Sequence, residues 1–313
     1  MTTLLLHLSD VDEAGWARRY AEALPGVTVV RQSDSFDPAS VDYVFVWKPK
    51  ANAFDGLTNL KAVLSLGAGV DALLKHPHLP DRPVVRFIDA DLTQRMSDYV
   101  VAHVTMHKRL FTRFKRDQLA RRWTQMYPPA ANETTVGVMG LGELGADAAG
   151  KLRAHGFEVL GWSRSPRTLE GIRTFAGDGE FDAFLAGSDI LVCLLPLTKE
   201  TTGILNYEVF RKLRRKLDGG PVIINAARGG HQVETDIVKA LQDGTLGAAS
   251  LDVFEVEPLP ADSPLWTLDN AYITPHIAAI SNIAAGVEYF SKIIREHEMG
   301  VPLPNVVDRA RGY

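Results

Sequence analysis

Three short segments in the second half of the chain carry side chains able to hold an anion and move a proton. Asn225-Ala226-Ala227-Arg228-Gly229-Gly230 follows the β-branched run Pro221–Ile224, so Arg228 stands just past a predicted strand. Open α/β sheets bind ligands at such strand ends. The five fixed donors of a guanidinium suit a carboxylate with a carbonyl beside it. Leu251-Asp252-Val253-Phe254 runs from a second strand into the proline-stiffened acidic loop Glu255–Pro260, which carries Glu257. Ile273-Thr274-Pro275-His276 presents a histidine at a third strand end. A carboxylate near that imidazole would favour its charged form. The charged form can give a proton to a carbonyl oxygen as hydride arrives at carbon. Each segment alone has a plainer reading: a surface ion pair for the arginine and the acid, a structural role for the histidine. Their common placement at strand ends argues for one site.

A second constellation says where a hydride would come from. Val136-Gly-Val-Met-Gly140-Leu141-Gly142-Glu143-Leu144-Gly145 is a Gly-x-Gly-x-x-Gly turn between an apolar run and a helix-forming segment, Glu143–His155. In a dinucleotide-binding βαβ unit Gly140 makes the tight turn, Gly142 admits a pyrophosphate to the backbone, and Gly145 lets helix meet strand. The helix N-terminus adds unpaired N–H groups and a partial positive charge. The next strand, Glu158–Trp162, ends at Ser163-Arg164-Ser165-Pro166-Arg167. An NAD site places Asp or Glu there for the ribose 2′-OH, and this chain has no acid at that strand end. Hydroxyl and guanidinium donors suit a 2′-phosphate; a solvated basic turn is the plainer alternative. With the glycine turn beside it, the segment favours NADPH/NADP, with NADH at lower affinity.

These groups require alternating strands and helices to place them. Short apolar runs and helical patterns do alternate, as parallel sheets with crossover helices demand. Strands are expected at Leu4–Leu8, Val27–Arg31, Tyr43–Trp47, Ala62–Leu66, Val84–Ile88, Ile190–Leu195, Val222–Asn225, Ala248–Val253 and Tyr272–Thr274. Asp10 with Glu13 starts a helix over Val11–Leu24, one long helix covers Ser97–Leu119, and the last runs from Ser281 to about His297. At 313 residues and 46% hydrophobic content the chain supplies two cores. Because the glycine turn lies mid-chain, a substrate domain is expected at 1–97 with 281–313, and the dinucleotide domain at 98–280. A net charge of −4 gives no reason to expect nucleic acid or an anionic membrane as partner. The N-terminus lacks a signal-peptide pattern, and no apolar run is long enough to span a bilayer. The expected setting is cytoplasmic. Cys193 is a lone cysteine in an apolar strand and forms no internal disulfide.

Over nearly its whole length the chain resembles the D-isomer-specific 2-hydroxyacid dehydrogenases, and within them the NADPH-dependent glyoxylate/hydroxypyruvate reductases of the bacterial A type, whose Trp-Ser-Arg-Ser is like Trp162–Ser165. The resemblance implies an α/β fold of two Rossmann-like or flavodoxin-like domains with parallel sheets and the active site in the cleft between them. It implies that Arg228, Glu257 and His276 are the catalytic triad. Ser65-Leu-Gly67-Ala68-Gly69-Val70-Asp71 becomes the loop whose amides take the substrate carboxylate, a nest of N–H groups that Gly67 and Gly69 would permit. Trp47-Lys48-Pro49 resembles the substrate-pocket Trp-x-Pro. Leu195, Pro196 and Thr201 resemble the cofactor-side loop, and Asp252 the carboxylate at the nicotinamide amide. Cofactor contacts are then expected from Gly140–Gly145, Ser163, Arg164, Ser165, Leu195, Pro196, Thr201, Ala226, Ala227, Arg228, Asp252 and His276. Substrate contacts are expected from Trp47, Gly67, Ala68, Gly69, Arg228 and His276. A small 2-keto or 2-hydroxy acid is the implied substrate, glyoxylate or hydroxypyruvate first and a bulkier acid such as phenylpyruvate second. A role as a dinucleotide-sensing transcriptional co-regulator is the alternative of a different class.

Two further patterns carry less. His103 and His107 have the i, i+4 spacing of a helical metal pair, yet no third ligand is obvious, so no metal is expected. The basic stretch Lys108–Arg122 reads as a solvated helix face or a subunit contact. By the resemblance, the helix near Ser97–Leu119 and the arm after it build a homodimer interface.

Overall fold

A computed structural model describes residues 2–312. The chain divides into two units, Met1–Leu92 with Ser281–Tyr313, and Thr93–Ile280. In the first unit β1 (Thr3–Leu8), β2 (Thr28–Arg31), β3 (Tyr43–Trp47), β4 (Ala62–Ser65) and β5 (Val84–Arg86) form a parallel sheet in the order β2-β1-β3-β4-β5. Their apolar residues are continuous rather than alternating, because both faces of the sheet are covered. On one face Phe45 meets Trp16 and Tyr20 of α1 (Glu13–Ala23) and Phe290 of the C-terminal helix Ile283–Glu298, at ring separations of 5.2, 5.3 and 5.1 Å. On the other, Val44, Val46 and Val63 pack with Phe54, Leu57, Leu60 and Leu73, the last on α2 (Asp71–Leu74). The cap of α1 is Asp12, whose carboxylate accepts the Gly15 N–H at 3.0 Å. Asp10, the expected cap, instead sits at φ 61° in the turn before it.

The second unit is led by α3 (Ala90–Lys108) and α4 (Phe111–Leu119). The single long helix expected over Ser97–Leu119 is therefore two. Leu110 takes a left-handed φ of 60°, and its side chain is buried at the corner. Strands β6 (Thr135–Met139), β7 (Glu158–Ser163), β8 (Arg173–Ala176), β9 (Ile190–Cys193), β10 (Val222–Asn225), β11 (Ala248–Leu251) and β12 (Ala271–Ile273) make a seven-stranded parallel sheet, ordered β12-β11-β10-β9-β6-β7-β8. Helix α5 (Glu143–Ala154) links β6 to β7, and α6 (Phe181–Gly187), α7 (Tyr207–Lys212) and α8 (Glu234–Asp243) are the later crossovers. The chain runs outward from β6 to β8 and then returns to β9 on the other side of β6. The switch point thus lies between β6 and β9, where a doubly wound sheet binds its ligand. Strand β8 escapes sequence reading because Arg173-Thr-Phe-Ala is a short, partly exposed edge strand with one buried side chain.

Three basic residues of the segment around α4, Arg113, Arg116 and Arg122, are paired with carboxylates. The carboxylate of Asp117, 2% exposed, meets Arg113 at 3.3 Å and Arg122 at 2.9 Å, and Arg116 grips Asp269 with two bonds of 2.7 and 2.6 Å. Phe111, Leu119, Trp123 and Tyr127 stand exposed on α4 and the arm beyond it. No helix among the described residues is long and apolar enough to cross a membrane.

Candidate active site

Strands β10, β11 and β12 are neighbours in one register, with Asn225 opposite Leu251 and Leu251 opposite Ile273. All three end at the same level, so the segments bearing Arg228, Glu257 and His276 leave the sheet side by side. Buried polar groups then stitch them together. Asn225 donates from Nδ2 to the Arg228 carbonyl (3.0 Å) and to Gln232 Oε1 (2.9 Å), while its Oδ1 accepts the Ala227 N–H at 3.1 Å. Gln232 Nε2 donates to the Val253 carbonyl at 2.9 Å, and Glu234 accepts the Glu255 N–H at 2.9 Å. Gly229 lets the arginine and acid loops meet backbone to backbone. A Cβ there would lie 1.9 Å from the Phe254 carbonyl carbon and oxygen.

Glu257 accepts the Phe254 N–H at 3.0 Å through Oε1 and meets His276 Nδ1 at 2.8 Å through Oε2. The bond at Nδ1 leaves Nε2 as the nitrogen that can face a reactant, and the imidazole remains about half exposed. His276 sits at φ 56°. Its N–H donates to the carbonyls of Asp252 (2.8 Å) and Thr274 (3.0 Å). Such a conformation in a residue other than glycine persists where surrounding contacts over-determine it. Asp252, 1% exposed, supplies those contacts: it accepts the Ile277 and Ala278 N–H groups at 2.9 Å and the Thr274 hydroxyl at 2.6 Å.

At the switch point the glycine turn has the geometry its residues require. Gly140 has φ 95°, and a Cβ on it would be 2.6 Å from the Leu194 carbonyl oxygen, so this loop and the β9 loop touch. A Cβ on Gly145 would come within 1.7 Å of the Gly140 carbonyl. Gly142 caps α5 and has open space where its side chain would be. No atom of the described residues thus demands glycine at 142, which fits a phosphate approaching the backbone from outside. Leu141 turns its side chain inward onto Gly161, leaving its backbone on the turn. Strand β7 ends at Ser163, whose hydroxyl donates to the Ser165 carbonyl at 2.8 Å and tightens the loop holding Arg164. Thr201 shapes its own loop, donating to the Pro196 carbonyl and accepting the Thr198 N–H, both at 2.8 Å.

In the first unit Trp47 ends β3, and Gly67 follows β4. Gly67 is not left-handed, contrary to the expectation that a nest would explain it; a Cβ there would meet the Gly69 carbonyl at 2.9 Å and the Trp47 ring at 3.1 Å. Its small size makes room for the indole. His103 and His107 are held by one hydroxyl, that of Ser250, at 2.7 and 2.8 Å. Burial lowers the pKa of both, that of His107 to about 3. Among the described residues no group of three or more His, Cys, Asp or Glu converges as a metal site would. Burial likewise pushes the Cys193 thiol up to about 12, as expected for an inert core cysteine.

A doubly wound parallel sheet, a glycine turn at its switch point, and an Arg, Glu and His at aligned strand ends together define a dinucleotide-dependent oxidoreductase domain. The NAD-binding domain model of D-isomer-specific 2-hydroxyacid dehydrogenases matches residues 101–278. Glyoxylate/hydroxypyruvate reductase A of Escherichia fergusonii is 38% identical over 316 residues, 99% of each chain. Among solved structures, an NADPH-dependent glyoxylate/hydroxypyruvate reductase from Sinorhizobium meliloti in complex with NADP and sulfate has a TM-score of 0.94 at 43% identity, covering all of both chains. A probable 2-hydroxyacid dehydrogenase from Rhizobium etli in complex with NADP, HEPES and L(+)-tartaric acid has a TM-score of 0.93 at 48% identity, again over both whole chains. The chain belongs to the D-isomer-specific 2-hydroxyacid dehydrogenase family.

Proposed function

We propose that the protein is an NADPH-dependent reductase of small 2-keto acids, turning glyoxylate into glycolate and hydroxypyruvate into D-glycerate. The observation that carries this reading is the His276–Glu257 contact of 2.8 Å beside the Arg228 loop, in the same domain as the glycine turn. When bound, the reduced dinucleotide supplies a hydride to the keto carbon. Gly140–Gly145 receive its pyrophosphate at the α5 N-terminus, and Ser163, Arg164 and Ser165 receive the 2′-phosphate. Leu195, Pro196, Thr201, Ala226, Ala227 and Asp252 border the rest of it.

Arg228 pairs with the substrate carboxylate and draws negative charge onto the keto oxygen. The amides of Gly67, Ala68 and Gly69, with Trp47, complete the substrate's reception. His276, held through Nδ1 by Glu257, gives the proton on Nε2 to that oxygen as the C–H bond forms. One hydride and one proton thus make the hydroxy acid, and His276 regains its proton from solvent. The exposed Leu119, Trp123 and Tyr127 support assembly as a homodimer, to be read from the mass in solution.

Steady-state rates with glyoxylate, hydroxypyruvate, pyruvate and phenylpyruvate, each with NADPH and NADH, test the reading. Glyoxylate and hydroxypyruvate with NADPH should give the highest kcat/KM, and His276→Ala should lower kcat by roughly 10²–10⁴-fold. No turnover on any of the four acids, or a His276→Ala variant close to wild type, would overturn it.

A further inference from the structure

We infer that Tyr99 and Thr274 are positioning residues for His276, acting through Asp252; this rests on the function proposed above. The bonds have a fixed direction. Thr274 gives its one hydroxyl hydrogen to Asp252 Oδ1 at 2.6 Å. The hydrogen between Thr274 and Tyr99, whose oxygens are 2.9 Å apart, therefore belongs to Tyr99. Two hydroxyls point in series at one carboxylate, and bonds in such a series strengthen one another.

The far end of the series is the proton donor's own loop. Asp252 takes the His276 N–H on its carbonyl and the Ile277 and Ala278 N–H groups on its carboxylate, three successive amides around a left-handed residue. A carboxylate can turn about its own bonds. Thr274 Oγ1 fixes its plane, and Tyr99 fixes Thr274. The near end is anchored on α3. The Tyr99 ring lies 4.2 Å from the His103 ring, and His103 and His107 both hold Ser250. Positions 99, 103 and 107 share a helix face by their i, i+4 spacing, and Ser250 and Asp252 share a side of the β11 segment by their i, i+2 spacing. Burial raises the Tyr99 pKa, so the phenol keeps its hydrogen and the donor is always present.

The test compares Tyr99→Phe and Thr274→Val, which remove only the hydroxyls, with Thr274→Ser, which keeps one. Turnover of glyoxylate with NADPH is measured alongside amide exchange at Ile277 and Ala278. Either hydroxyl loss should lower kcat about 10-fold and speed exchange of the two amides by about 10-fold. Thr274→Ser should recover most of the loss. Because Tyr99 acts through Thr274, the double variant Tyr99→Phe/Thr274→Val should be no slower than Thr274→Val. Additive losses in the double variant, or wild-type kcat with only a lower Tm, would overturn the inference and leave a merely structural role. If the wild-type protein reduced no 2-keto acid, the proposed function would fall. Exchange at the two amides would still decide whether Tyr99 and Thr274 hold the loop, and unchanged exchange would mean that they do not.

Discussion

The glycine doublet after Arg228 offers a sharp perturbation, because its two members face different neighbours. A methyl group on Gly229 would lie 1.9 Å from the Phe254 carbonyl carbon and oxygen and 2.5 Å from the Glu255 nitrogen. Ordinary contact begins at 3.4 Å, so Gly229→Ala forces backbones apart by about 1.5 Å. No flexible side chain can absorb this. Gln232 and Glu234 tie the same two loops together, and Phe254 is also bonded to Glu257, so the movement is passed to Glu257 or to Arg228. A misplacement of about 1 Å in a reacting group can cost roughly 10²-fold, and kcat/KM for glyoxylate should fall by about that factor.

On Gly230 the same methyl would meet only the end of the Leu197 side chain, at 3.0 and 3.2 Å, which can yield by a few tenths of an ångström. Gly230→Ala should therefore cost less than about threefold. The assay is steady-state kinetics on both variants, with the dinucleotide Kd from tryptophan fluorescence and the Tm confirming folded protein. The Kd should stay within about threefold for both, since the turn at Gly140–Gly145 is untouched. If Gly229→Ala keeps wild-type kcat/KM, or if the two variants suffer equally, the steric argument linking the arginine and acid loops is wrong.

Two other outcomes follow from the same geometry. Replacing Arg164 with Ser should raise KM for NADPH by roughly 10–100-fold, the worth of a charge-assisted phosphate contact, and KM for NADH by less than about twofold; equal changes for both dinucleotides in steady-state kinetics would remove Arg164 from the 2′-phosphate site. Acid should weaken the protein through His107, whose folded pKa of about 3 lies below the ordinary histidine value of 6.5. The unfolded chain takes up a proton between those values that the folded chain refuses, so this stability is complete above pH 6.5 and is lost as pH falls toward 3. At pH 5 the loss is about 2 kcal/mol, from 1.5 units at about 1.4 kcal/mol each. Urea unfolding at pH 7.5 and pH 5 should show the stability advantage of wild type over His107→Asn shrinking by about that amount, and a constant advantage would contradict it.

What could be read in advance divides along physical lines. The glycine turn, every strand but the edge strand β8, and the placement of Arg228, Glu257 and His276 past strand ends were legible because each follows from local sterics or from an apolar run ending at a polar segment. The break between α3 and α4 was not. The helical pattern runs on through Leu110 with no Pro or Gly to mark the corner, and the leucine there adopts φ 60° with its side chain buried. Gly67 was legible as a needed glycine, but the crowding there was not: a Cβ would meet the Gly69 carbonyl at 2.9 Å and the Trp47 ring, from another strand, at 3.1 Å. The polar network behind His276 was illegible in a stronger sense. Tyr99 lies 175 positions from Thr274, and nothing local sets a buried tyrosine with a hydroxyl partner apart from one that merely fills a core. Residues that touch a reactant are confined to types with the right donors or charges, so their identity betrays them. Residues that hold those in place need only a hydroxyl at the right point in space, and only the fold specifies that point.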